Sequence, residues 1–207
     1  MKKSLVFLLL VSFSLGGCFA PSQLQQQMQN ANKYIYSHKL VGENVTEGNT
    51  FNDGKIKVVF SVGIKQIEFS MFNLTSNPIK IIWDETALIL FAESKKVFHK
   101  GVNYTDRNNS QPPTLIAPKS VVDELVAPSE YAYFKQGYYV NAFANQPSSW
   151  ESYPLFYSSD MGDDQTRNII LALKGHTYRL FMPIEVDGVK KNYTFEFEIT
   201  DVQQLPK

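Results

Sequence analysis

Three histidines, His38, His99 and His176, are the side chains best suited to proton transfer or metal binding near neutral pH, and they lie far apart in the sequence. None belongs to an HExxH pair, and no CxxC or mixed Cys/His cluster accompanies them, so the spacing of a zinc site is missing. There is no GxSxG turn to present a nucleophilic serine and no GxxxxGK[ST] loop to cradle phosphate. A hydrolase would have to assemble its triad from distant residues. Carboxylates do cluster once. The stretch SSDMGDDQT brings Asp160, Asp163 and Asp164 around Gly162, the ligand type that calcium takes, at a spacing unlike an EF-hand loop. The plainer reading of that cluster is a solvated acidic turn, and Asp84 and Glu85, after Trp83, read as a strand-end turn rather than a catalytic pair. No cofactor is expected, and neither a metal ligand nor a catalytic residue is assigned.

The remaining reactive group is Cys18, the one thiol in the chain. Lys2 and Lys3 precede an apolar run over residues 5–15, far shorter than the roughly 20 residues needed to cross a bilayer, which is the pattern of a secretory signal. The run ends in Leu15-Gly16-Gly17-Cys18, which resembles the lipobox of bacterial lipoproteins. That resemblance implies that residues 1–17 are a signal peptide, that the Cys18 sulfur receives a diacylglycerol, and that Cys18 becomes the acylated first residue of the mature protein. Palmitate would be among the attached chains. Phe19 follows where an aspartate would favour the inner membrane, so the expected location is the cell envelope, at the outer membrane facing the periplasm.

About 190 of the 207 residues remain after such a cut, enough for one domain with a substantial core. Twenty basic residues balance twenty acidic ones, so overall charge points to neither nucleic acid nor an anionic surface. Membrane attachment then rests on the lipid. Residues 18–45 read as a lipidated, polar tether, with Leu24 and Met28 the few apolar positions in QLQQQMQNANK.

The elements that would position any site are strands. NDGKIKVVFSV opens with Asp53-Gly54, a pair suited to a tight turn, and runs into β-branched residues. IEFSMFNL alternates Ile67, Phe69 and Met71 with polar residues, and after a turn over residues 75–78 comes IKIIWDETALILF, with Trp83 as a core candidate. These two segments read as neighbouring strands. Near the C-terminus, Asp187-Gly188 divides a long hairpin, with Tyr178, Leu180, Met182 and Ile184 on one face of the first arm. Tyr193, Phe195, Phe197 and Ile199 line the second. Short β runs separated by Gly, Pro, Asn and Asp, with no long amphipathic helix, predict an all-β antiparallel sandwich over residues 46–207. LKGHTY, ending at Tyr178, resembles the approach to the tyrosine corner of immunoglobulin-like domains, and the segment over residues 56–202 resembles uncharacterised bacterial lipoproteins with an immunoglobulin-like domain. No catalytic residue comes with that resemblance.

One segment exceeds what a sandwich needs. Ten of the 27 residues over 131–157 are aromatic, against 14% for the whole chain, inside an insertion placed near 131–165. Rings with polar tips stack on sugars, bind protein partners or sit at lipid interfaces, which makes Tyr138, Tyr139, Trp150 and Tyr153 the candidate partner-binding residues. The alternative is that these rings pack onto the sandwich. The expected function is a membrane-anchored, noncatalytic envelope lipoprotein whose domain binds or scaffolds an envelope protein or glycan. An envelope hydrolase with a dispersed site is the other reading.

Overall fold

The computed structural model describes residues 32–206 apart from 142–143, so Cys18 and the expected signal peptide lie outside the described residues. The fold is all-β, with a single α-helix among the described residues. In chain order the strands are β1 (Tyr34–Val41), β2 (Val45–Thr46), β3 (Thr50–Asn52), β4 (Ile56–Val62), β5 (Ile67–Asn73), β6 (Ile79–Ile81), β7 (Ala87–Leu90) and β8 (Glu93–His99). There follow β9 (Thr114–Ile116), β10 (Val121–Pro128), β11 (Ala132–Lys135), β12 (Tyr138–Asn141), β13 (Ala144–Gln146) and β14 (Ser149–Ser152). Helix α1 (Asp164–Ala172) precedes the final hairpin, β15 (Thr177–Val186) and β16 (Val189–Gln204).

Hydrogen bonding links ten of these strands in the order β1-β16-β15-β7-β8-β10-β5-β4-β3-β2, with β6 on β15 and β9 on β6, and every pairing is antiparallel. Strand β8 pairs with both β7 and β10 and so joins two layers into a nearly closed sandwich. Period-2 alternation decides what enters the core. Ile56, Val58 and Phe60 of β4 and Ile67, Phe69 and Met71 of β5 face the inward side chains of β15 and β16, and all are buried. Rings close the gap between layers: Phe60 lies 4.8 Å from Phe195 and 5.2 Å from Phe197. The Asp187-Gly188 turn is as expected, with both residues at positive φ and the ladder running from Val186↔Val189. Pro183 is tolerated mid-strand because its side of β15 faces the break between β6 and β7, where its carbonyl accepts from Ile82.

Four local expectations are corrected. The segments containing β5 and β6 are not paired neighbours: β5 lies between β4 and β10, whereas β6 lies between β15 and β9. Buried Asn73 makes that crossing possible, since its amide donates to the carbonyls of Asn77, Ile116 and Ala117 while its oxygen accepts from Thr75. The expected 18–45 tether includes a strand of the sandwich, because Tyr34, Tyr36, His38 and Leu40 alternate inward on β1 and pair with β16. Trp83 is a core residue, 1% exposed, but sits on a 3₁₀ turn (Trp83–Glu85) instead of a strand. Tyr178 forms no tyrosine corner; its hydroxyl meets the His38 ring Nδ1 at 3.1 Å, not upstream backbone.

Candidate functional site

The aromatic insertion has strand structure of its own. Strands β11 and β14 pair from Ala132↔Ser152 to Lys135↔Ser149, and β12 and β13 pair beyond them, giving a ribbon that returns to the sandwich at Leu155. Tyr138 and Tyr139 are on β12, and the arrangement of their rings lies outside the described residues. Trp150 is half-buried: its ring stacks on Tyr104 at 5.7 Å, meets Phe134 edge-on at 5.5 Å and has the Arg107 guanidinium over it at 4.9 Å. Arg107 is held by the carbonyls of Ser129 and Tyr104. Tyr153 stacks on Tyr133 at 4.4 Å and is 55% exposed, and Phe134, on the other face of β11, is 54% exposed. Of the four expected binding residues, Trp150 and Tyr153 are therefore both on the ribbon, one clamped and one open.

Where the ribbon rejoins the sandwich there is an apolar groove of about 650 Å³, walled by Phe91, Tyr131, Tyr153, Phe156, Tyr157 and Met161, with Ile169 of α1 at its edge. Among the described residues, no charged side chain lines it. Phe156 is buried at its floor, while Tyr157 and Phe91 stand open, 60% and 53% exposed. Phe91 reaches the groove from the two-residue turn between β7 and β8, where Phe91 and Ala92 have φ of 51° and 65°. Such a turn ordinarily takes Asn-Gly, and a bulky residue at positive φ is strained. The strain places a ring 5.9 Å from Phe156, edge to face.

The acidic stretch flanks Met161 of the groove and departs from the expected solvated turn at Asp160 alone, Asp163 and Asp164 being exposed. Asp160 is fully buried and accepts from the Asn32 backbone N–H at 2.9 Å, the Asn32 amide at 2.7 Å, the Tyr34 hydroxyl at 3.1 Å and the Gly162 N–H at 2.9 Å. Burial alone would raise its pKa, but these donors hold the carboxyl well below the usual carboxylate range. Asp163 caps α1 by accepting from Thr166, and Asp164 pairs with Arg167. No group of three or more metal-ligating side chains occurs among the described residues.

The histidines stay separate in role. His38 lies among Tyr36, Phe156 and Tyr178, and burial pushes its imidazole down to about 4. His99 stacks flat on Trp83, centroids 4.3 Å apart, with Nδ1 3.4 Å from Glu124 Oε2. Glu124 Oε1 accepts from Thr114, whose hydroxyl accepts in turn from the Trp83 indole. Both His99 ring nitrogens and Glu124 Oε2 are buried without a hydrogen-bond partner, so among the described residues no hydroxyl is positioned for His99 to activate. Sequence reasoning missed this pair. The only signal was that Glu124 breaks the apolar face Val122-Glu124-Val126 of β10. No protein-family model, curated protein or solved structure matches the chain.

Proposed function

We propose that the chain is a membrane-anchored, noncatalytic envelope lipoprotein, attached through lipid on Cys18 at the outer membrane, whose immunoglobulin-like β-sandwich binds or scaffolds an envelope protein or glycan. The supporting observation is the ribbon itself: the Trp150 ring is held by Tyr104 and the Arg107 guanidinium, while Phe134, its cross-strand neighbour on the same face, stays open. A held aromatic anchor beside an exposed ring is the composition of a recognition surface. Cys18→Ser should abolish palmitate labelling and signal cleavage; retained labelling and normal fractionation would refute the anchor. Phe134→Ala should then reduce crosslinked partner recovered from envelopes while the melting temperature holds. The hydrolase reading has one observation in its favour, the Glu124–His99 pair. Turnover of a peptide, glycan or ester by the domain, lost in His99→Ala, would select it instead.

A further inference from the structure

We infer that the apolar groove is the face on which the domain docks against the bilayer that anchors it. The inference rests on the anchor proposed for Cys18. Its first support is where the described chain starts. Asn32 exchanges backbone and side-chain hydrogen bonds with Asp160, Lys33 bridges Ser159, and the Tyr34 N–H donates to the Ser158 carbonyl at 3.0 Å. Ser158 and Ser159 line the groove, so the segment leading back to Cys18 leaves from the groove's rim. Asn32 lies fourteen positions after Cys18. Fourteen residues reach at most about 50 Å even when fully extended. Strand β16 alone, with sixteen residues, runs roughly as far, so the opposite end of the domain meets the membrane only with that link drawn to its limit, and the tethered end is the end held near it.

The chemistry of that end is the second support. Tyr153, Tyr157 and Tyr131 combine apolar rings with phenolic tips, the residue type that settles between headgroups and acyl chains, and Phe91, Met161 and Ile169 add fully apolar contacts. With no charged side chain in the lining among the described residues, and eighteen basic against twenty acidic residues once Lys2 and Lys3 leave with the signal peptide, attraction to anionic headgroups has no source here. The matching occupant is the neutral interfacial layer of the bilayer. Tethering raises the local concentration of that layer, so shallow contact suffices without high affinity.

The test uses the mature chain purified from membranes and reconstituted in phosphatidylcholine vesicles with brominated acyl chains. Acylation of Cys18 leaves no free thiol, so Ile169→Cys at the groove and Val189→Cys at the far end of β16 can each take a single environment-sensitive fluorophore. Both positions are exposed, 46% and 68%, so folding is not at risk. Bromolipid should quench the label at Ile169→Cys several-fold more strongly than at Val189→Cys, and Tyr157→Asp should lower that quenching. Labelling of the parent chain itself would mean that Cys18 carries no lipid, which refutes the anchor separately. Quenching that is equal at the two sites, or missing at Ile169→Cys, overturns the docking. A label shielded in whole envelopes but unquenched in protein-free vesicles overturns it in favour of a protein partner.

Discussion

The rings of the sandwich and the rings of the ribbon are the same residue types put to opposite use. Phe60, Phe195 and Phe197 are buried at 4% exposure or less, whereas Phe134 and Tyr153 are more than half exposed. Neighbours account for the difference. Strand β16 has β1 on one edge, β15 on the other and a second layer across its inner face; among the described residues, β11 and β14 pair only with each other. Burial here is a property of layers, and a two-stranded ribbon leaves one face of its rings open whatever its composition.

The contrast breaks first at the core. Phe197→Ala removes a ring that touches Phe60 and stacks on Tyr178 at 5.3 Å, and should cost about 3–5 kcal/mol, lowering the melting temperature by roughly 10 °C in calorimetry. A loss below about 1 kcal/mol would mean that the two layers are not tightly packed. At the seam between core and ribbon, His38 tests burial by charge. Its folded pKa of about 4 lies below the ordinary 6.5, so the native state favours the neutral ring. That contribution is complete above pH 6.5 and is lost as pH falls toward 4, on the order of 2 kcal/mol after allowing for partial exposure. Denaturant titrations across that window should show a shallower slope in His38→Gln; parallel profiles would contradict the burial. The smallest effect belongs to the ribbon. Tyr153→Ala gives up one stacked partner, Tyr133, and should change unfolding free energy by no more than about 1 kcal/mol. A core-sized loss would erase the distinction between the two regions.

Where local rules suffice, the fold is readable from residues alone. The final hairpin follows from alternation at Tyr178, Leu180, Met182 and Ile184 and from a turn pair that accepts positive φ, both properties of adjacent residues. The crossing from β5 to β6 is not readable in that way, because Asn73 finds its partners at Ile116 and Ala117, more than forty positions on. Strand β1 does alternate, yet its inward positions include Tyr36 and His38, and the polar run before it disguised the pattern as tether. Helix α1 carried a legible start, Asp163 three residues before Thr166, hidden among carboxylates that suggested ion binding. For the candidate site, composition located the ribbon and its rings but not the groove, whose walls come from three separate stretches. The turn at Phe91-Ala92 contradicts its own sequence preference, so no local rule could have placed it there.

The join between Asn32 and the rest of the domain also has a mechanical meaning. The chain enters β1 at its Tyr34 end, and β1 runs antiparallel along β16 from Tyr34↔Gln204 to Val41↔Glu196. A force that draws Asn32 outward along the β1 axis acts at right angles to the ladder's hydrogen bonds. Under that load the bonds act in shear instead of opening one after another like a zipper. An axial tug from the N-terminal side meets the resistance of a whole strand, and the rate of forced unfolding is set by how quickly that strand can slide.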